Sequence, residues 1–453
     1  MGVAALEALA AATMGTPYEG ELWLVGGAVR DPLLGLGEGT DFDIVLEHDA
    51  IELAGFLYAK GISTIHPVVY PRFGTALVQI AGSAVELITA RRESYESRSR
   101  KPNVTPATLA EDALRRDFTC NALFKNLHTA EVRDPLGRGR ADLEQRVLRT
   151  PRDPVETFHD DPLRMLRAVR FRWKLGFTPA PGLYESIRQE ANRLAIISSE
   201  RIRDEWVKML IHPTAPEAMQ DLMDLGLLNQ FAPEFRAMVG VEQGKWHHLD
   251  VWDHTLLVLR NVQMHSESLT LALAALLHDV GKPLTRTVDA SGQTRFFGHE
   301  TVGAYMTVAL MRRLKFSNTD IEPVWRLVKG HMRLGMSEGF TKAATRRLIR
   351  DMDGQVEDLL LLVEADAAAL KPGVKQLDLA PIRAQIEQVS VATPRSTLES
   401  PLSGREIMAA TGLSRGVEVG HLKQMLLDRV LDGTLAHDDK ELALWLVREA
   451  QKA

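Results

Sequence analysis

The chain is nearly without cysteine: Cys120 stands alone among 453 residues. No intramolecular disulfide can form. This excludes disulfide-stapled secreted scaffolds and fits a reducing compartment, so a cytoplasmic location is expected. Long apolar runs are missing too. None reaches the roughly 18–20 residues that a membrane span needs, so no membrane partner is expected. The Ala-rich N-terminal stretch has no Lys or Arg before it and does not read as a secretory signal. Internal repeats and low-complexity tracts are absent. So is any surplus of positive charge: the formal net charge is −6. That is adverse for a protein coated by nucleic acid, because phosphate contacts need Lys and Arg. The basic residues are instead local. Arg91, Arg92, Arg98, Arg100 and Lys101 form one cluster, and Arg164, Arg167, Arg170 and Arg172 another.

What is present is ordinary globular composition, 45% hydrophobic and 25% charged, in a chain long enough for several domains. Short apolar runs bounded by glycines and acidic residues read as strands: Leu22–Val25, Phe42 with Ile44 and Val45, Thr75–Ile80 and Val85–Ile88. From about Asp161 the pattern turns helical. Leu163, Leu166 and Val169 recur at helical spacing, as do Leu256 and Leu259, and Leu359–Ala369 forms a further run. Pro381, Pro394 and Pro401 make Gly373–Leu402 a plausible boundary. The fold class is therefore α+β, with a small mixed-sheet head over 1–150 and helical segments over 151–240, 241–372 and 373–453.

The first chemical constellation is Gly26-Gly27-Ala28-Val29-Arg30-Asp31 followed by Asp41-Phe42-Asp43. Two glycines after a strand let a backbone turn approach a phosphate closely, and Arg30 adds a charged donor. Strand periodicity puts Asp41 and Asp43 on one face. Two neighbouring carboxylates repel unless a cation lies between them. Mg²⁺ wants such hard oxygen ligands together with triphosphate oxygens. The bland alternative is a tight turn beside two solvated aspartates.

These residues resemble the first motif of class II tRNA nucleotidyltransferases and bacterial poly(A) polymerases, members of the polymerase-β-like nucleotidyltransferase superfamily. The likeness continues in order. Arg115-Arg116-Asp117-Phe118-Thr119-Cys120-Asn121-Ala122 is similar to the motif that holds ribose and triphosphate. Asp160-Asp161-Pro162-Leu163-Arg164, running on through Arg167 and Arg170 to Phe171, is similar to the base-reading motif. Glu200-Arg201-Ile202-Arg203-Asp204-Glu205 is similar to a motif of the neck. The resemblance implies catalytic, metal-binding Asp41 and Asp43. It also implies a nucleotide site of Gly26, Gly27, Arg30, Arg116, Asp117, Asn121, Asp161, Arg164, Arg167 and Arg170. The partners implied are tRNA, ATP and CTP. One departure is Asp160, where the family usually has Glu.

Base choice without a nucleic-acid template has a physical basis. Cytosine and adenine each present an amine donor beside a ring-nitrogen acceptor, and guanine and uracil reverse that pattern. An ionised Asp161 only accepts and Arg164 only donates, so the pair suits C or A. Asp161 is equally placed to cap the helix that follows Pro162. Arg91–Asp112 reads as a polar, basic, mobile loop. CC-only relatives look truncated there, and this chain does not. Pro71–Ala76 resembles the tRNA enzymes rather than the poly(A) polymerases.

A second constellation is His254, His278-Asp279, His299, His331 and Asp366. Histidine suits transition metals, and carboxylates shift the preference toward Mn²⁺ or Mg²⁺. A lone histidine is more often structural, and His247, His248 and His265 are read that way. The ordered set resembles the HD phosphohydrolase superfamily. That likeness implies one metal, such as Mn²⁺, Ni²⁺ or Co²⁺, on His254, His278, Asp279 and Asp366. His299 and His331 would take substrate phosphate or a second metal, and Lys282 would contact phosphate. The implied substrates are RNA ends carrying 3′-phosphate or 2′,3′-cyclic phosphate. Three alternatives stay open: a poly(A) polymerase, an RNA-binding protein with an inactive head, and a hydrolase of free nucleotides.

Overall fold

The computed structural model describes residues 2–37, 39, 41–94, 103–244, 246–334, 341–374 and 378–452. It separates into two compact units: residues 1–209 with 217–233, and residues 210–216 with 234–453.

The first unit is built on a seven-stranded mixed sheet. Its strands are β1 (Trp23–Val25), β2 (Phe42–Leu46), β3 (Val68–Tyr70), β4 (Thr75–Ile80), β5 (Ser83–Thr89), β6 (Phe124–Asn126) and β7 (Val132–Arg133). They lie in the order β3-β4-β5-β2-β1-β6-β7. β2 runs parallel to β5 and antiparallel to β1. β2 is central because Phe42, Ile44, Val45 and Leu46 are all buried. Helix α1 (Gly27–Leu33) follows β1, and α2 (Ala50–Ala59) follows β2. The Asp49 carboxylate caps α2 by accepting from Ile51 N at 2.7 Å. Ala50, Leu53, Ala54 and Leu57 then form one buried stripe. On the opposite face, Trp23, Val25, Val45 and Phe124 pack against Leu109 and Ala113 of α3 (Leu109–Leu114). Each fully buried side chain of this size stabilises the unit by roughly 1.5–3 kcal/mol.

The segment expected to be a mobile loop is partly regular. Arg91–Ser94 pairs antiparallel with Asn103–Pro106, and α3 follows. Arg98, Arg100 and Lys101 lie outside the described residues. Helix α4 (Leu163–Leu175) buries Leu163, Leu166 and Val169 as the spacing predicts, and it also buries Arg164 and Arg170. Gly176, at φ 66°, terminates it in the left-handed conformation. Helix α5 (Ser199–Leu210) carries the neck motif.

The second unit is helical. α6 (Val251–Gln263) starts at the Asp250 cap, and α7 (Leu269–Leu277) has every residue from Leu271 to Leu277 buried. A helix apolar on all sides belongs at the centre. It packs against α6, α9 (Asn318–Gly330) and α11 (Val356–Ala368); α8 (His299–Arg313) lies on α9, and α10 (Lys342–Met352) on α9 and α11. The helical region is not wholly helical: Val147–Leu148 pairs with Thr178–Pro179, and Thr287–Val288 with Thr294–Arg295. The proline-rich boundary also differs from expectation, because α12 (Ala380–Ala392) occupies its middle. Gln385 of α12 donates to Thr345 Oγ1 of α10 at 2.6 Å. Helices α13 (Gly404–Thr411), α14 (Val417–Asp432) and α15 (Lys440–Ala450) enclose a core of Ile407, Leu426, Val430 and Val447. Among the described residues, no helix is long and apolar enough to cross a membrane.

Candidate active and metal centres

In the first unit, Asp43 lies in β2, and Asp41, just before the strand, is near enough for its charge to act on Asp43. The register sets Asp43 beside Val25 of β1 and Glu86 of β5. Glu86 is thus a third carboxylate at this site. It went unread in the sequence because only the β2–β5 register brings it there; the one signal was an acid inside the apolar run Val85–Ile88. Gly26 sits directly over Asp43. Its φ of 71° and ψ of −137° suit glycine alone, and a Cβ there would lie 3.9 Å from Asp43 Oδ2. Burial and then Asp41 raise the Asp43 pKa, against Arg116, Arg167 and Arg115. Burial and then Asp43 raise that of Glu86. Carboxylates that disfavour one another's charge fit a hard divalent cation. The cluster is open: Asp41, Asp43 and Glu86 do not form a ligand group within 4.8 Å.

The second motif forms a buried chain of hydrogen bonds. Asp117 accepts from Phe118 N at 2.8 Å, Asn121 Nδ2 at 3.0 Å and Arg167 Nη2 at 2.5 Å. Burial opposes its charge, yet Arg167 and Asn121 hold its carboxyl well below the usual range. Arg30 Nη1 donates to Asn121 Oδ1 at 2.5 Å, and Arg30 Nε to Asp31 at 2.7 Å. Arg30, read as a free donor for phosphate, is therefore buried and already paired. Arg116 and Arg115 both hold the buried Asp112, at 2.9 and 2.6 Å.

On α4 the charged residues separate by partner. Arg170 donates to the buried Glu205 at 2.6 Å, and Arg172 to Asp221 at 2.7 Å. Arg170 is thus a buried pair member rather than an open donor. Arg164 differs: Nη2 donates to the Arg115 carbonyl, while Nη1 is buried with no partner. Asp161 Oδ1 accepts from Leu163 N, the first residue of α4, at 3.2 Å, though the N-cap position itself is Pro162, and Oδ2 accepts from Arg201 at 3.1 Å. Asp160, the departure from the motif, is paired with Arg152.

In the second unit all six expected HD residues converge. His254 Nε2 lies 2.9 Å from Asp366 Oδ1, and His278 Nε2 3.1 Å from Asp279 Oδ2. Asp279 Oδ1 faces His299 Nε2 at 3.4 Å, and His299 faces His331 at 3.2 Å. Two ligand groups result, His254–His278–Asp279 and Asp279–His299–His331, sharing Asp279. The Nδ1 atoms of His278, His299 and His331 lie 2.7, 2.8 and 2.6 Å from carbonyl oxygens. A carbonyl only accepts, so each Nδ1 carries the proton and each Nε2 offers its lone pair inward. Facing lone pairs at 3.2 Å call for a cation. His278 Nε2 meets no acceptor in hydrogen-bond geometry, and Asp279 Oδ2 is held there only by its ion pair with Lys282. The donor set therefore fits a metal. Lys282 Nζ is 2.6 Å from both Asp279 Oδ2 and Gln243 Oε1.

His247 was set aside in the sequence. Its ring packs edge-on against His254 with 4.8 Å between centroids, and burial, then Lys282 and His254, push it down to about 4. His248 and His265 are exposed. Spacing within the centre comes from a ligand-free contact. A Cβ on Gly281 would sit 2.3 Å from the His299 carbonyl oxygen and 2.7 Å from Gly303 N.

Comparison with known proteins finds matches in both units. Residues 22–149 match the poly A polymerase head domain, 176–238 the probable RNA and SrmB-binding site of polymerase A, and 251–379 the HD domain. An A-adding tRNA nucleotidyltransferase of Deinococcus radiodurans is 34% identical, covering 91% of this chain and 92% of its own. A CC-adding tRNA nucleotidyltransferase of Thermus thermophilus is 36% identical, over 76% of this chain and 79% of its own. The solved structure of a Bacillus stearothermophilus CCA-adding enzyme in complex with CTP shares the fold. Its TM-score is 0.68 at 24% identity, over 99% of this chain and 98% of that one. Head, neck and HD segments are matched in order, a relative aligns along nearly the whole length, and the chain belongs to the tRNA nucleotidyltransferase family.

Proposed function

We infer that this chain completes tRNA 3′ ends, adding either CCA from CTP and ATP or the terminal A alone from ATP. The observation that carries this reading is Arg164. It is the α4 arginine whose Nη1 is buried without a partner, one helical turn from Asp161. An unpaired buried donor costs about 1–3 kcal/mol. The acceptor edge of cytosine or adenine relieves that cost, whereas guanine and uracil present a donor there. Asp161 keeps acceptor capacity beside its bonds to Leu163 and Arg201. Asp41, Asp43 and Glu86 would hold Mg²⁺, which supplies charge to activate attack and stabilise departing pyrophosphate. Arg116, braced by Asp112, would contact the incoming triphosphate. Asp117, Asn121, Arg30, Arg167 and Arg170 keep the walls of the site in place, and the Gly26-Gly27 turn leaves room for phosphate.

The residues divide as nucleotidyltransferase head 1–150, neck 151–240, HD domain 241–372 and helical tail 373–453. In the HD domain, His254, His278, Asp279 and Asp366 would hold a divalent metal, with His299, His331 and Lys282 toward the phosphate. We assign it hydrolysis of 3′-phosphate or 2′,3′-cyclic phosphate ends, so that a damaged end is cleared before it is rebuilt.

The test is incubation with tRNA ending at the discriminator base, at C or at CC, with each nucleoside triphosphate separately. Adenosine addition to the CC end is the expected result; its absence overturns the reading. Addition of C to the two shorter ends distinguishes full CCA synthesis from A-only addition. Selectivity gives a second test. Asp161→Ala and Arg164→Ala should each lose discrimination of ATP and CTP over GTP and UTP by about tenfold, the effect of one unpaired group at about 1.4 kcal/mol. Wild-type selectivity in either variant would show that base recognition lies elsewhere.

A further inference from the structure

The second unit contains a cavity of about 1110 Å³ that opens from Asp279, His299 and His331 to an aromatic rim. Phe297 is 80% exposed and Trp246 65% exposed, and both line it. Trp325 lines it as well, with Lys329 Nζ 4.9 Å above its ring. Single exposed aromatics are common, but several around one cavity beside a cluster of metal-ligating groups point to a ligand. Phe297 is also held close to that cluster. It follows the Thr294–Arg295 strand and is joined to His299, the first residue of α8, through Gly298 at φ 76°.

The charges on the rim narrow the ligand. Arg295 is paired with Asp289 at 3.2 Å, Arg326 with Asp353 at 2.8 Å and Arg333 with Asp351 at 3.0 Å. Their guanidinium groups already hold neighbouring segments. Lys329 has no carboxylate partner among the described residues. A surface that grips a long phosphate backbone needs many free cations. This rim offers π-faces and few free charges, which suits a flat base beside one phosphate.

Resting on the phosphohydrolase reading above, the geometry points to a nucleoside-terminal phosphate as the HD-site ligand, its base stacked on Trp246 and Phe297. The shared chemistry is a base and a ribose phosphate, presented by an RNA 3′ end or by a free nucleotide. Trp246 and Phe297 are specificity-determining residues here and do not touch the reacting atoms.

The experiment compares an RNA ending in adenosine 3′-phosphate with the same RNA ending in an abasic ribose 3′-phosphate. Wild type should favour the adenosine end by about tenfold in kcat/KM, as expected from one stacked base. In Trp246→Ala and Phe297→Ala that preference should shrink toward one through a higher KM, and Phe297→Tyr should restore it. Equal use of both ends by wild type, or an unchanged preference in both Ala variants, overturns the proposal. A second readout needs no turnover. Adenosine 3′-monophosphate should quench tryptophan emission of the full chain, ribose 5-phosphate should not, and Trp246→Phe should remove most of the quench. A quench that survives in Trp246→Phe also overturns it. If neither RNA end is hydrolysed with Mg²⁺, Mn²⁺, Co²⁺ or Ni²⁺, the phosphohydrolase reading fails, and the quench still decides the stacking proposal. Higher kcat/KM on RNA than on free adenosine 3′-monophosphate assigns the RNA end; the reverse assigns the nucleotide.

Discussion

Replacing Asp43 with Ala is expected to reduce nucleotide addition by on the order of a hundred- to a thousandfold, the cost of losing a charge-stabilising group at a reacting centre. The fold should survive. Asp43 is half-buried at the start of β2, where burial and Asp41 already disfavour its charge. Removing that carboxylate relieves repulsion with Asp41 and Glu86, so the thermal midpoint should hold or rise. Asp41→Ala should act in the same direction. The measurement is single-turnover addition to an intact tRNA 3′-hydroxyl, beside a thermal melt. Near-normal addition by a folded Asp43→Ala protein would remove the carboxylate pair from the mechanism. Hydrolysis of phosphate ends should be unaffected, because the HD residues lie in the second unit.

The reverse separation is expected from Asp279. Both ligand groups of the second unit contain it. Its replacement should abolish hydrolysis of 3′-phosphate and 2′,3′-cyclic phosphate ends and spare addition to a free hydroxyl. Asp279→Ala leaves Lys282 and His278 buried without their partner, and breaking a buried pair costs roughly 3–5 kcal/mol. Lys282 keeps its bond to Gln243, which limits the damage. Asp279→Asn preserves the shape and removes the charge, so it separates ligand loss from unfolding. Labelled tRNA ending in phosphate or hydroxyl reports both activities. If folded Asp279→Asn protein loses both, the two centres are not independent.

Local chemistry was readable in the sequence, and long-range pairing was not. The longer strands declared themselves through apolar runs between glycines, and the HD residues through their order. β3 was missed because Val68, Val69 and Tyr70 are all exposed and carry no alternation. α12 was hidden by Pro381, which reads as a breaker but is tolerated in a first helical turn, where its missing N–H has no partner to lose. Arg30 read as a phosphate donor because its acceptor, Asn121, lies 91 positions away. Arg170, placed in the nucleotide site by the resemblance, is likewise paired at long range, with Glu205 35 positions on. Glu86 belongs to the carboxylate cluster only through a parallel register between strands distant in sequence.

The contact between Gly281 and α8 gives the metal centre an unusual mechanical character. A methyl group at 281 would meet backbone, the His299 carbonyl and Gly303 N, and not a side chain that can turn aside. Position 281 therefore works as a spacer. A side chain there would part the turn that follows Asp279 from the start of α8, so the distance between Asp279 and His299 would change first, while His254 stands apart on α6. The Asp279–His299 side of the centre can thus be detuned from a residue that binds nothing.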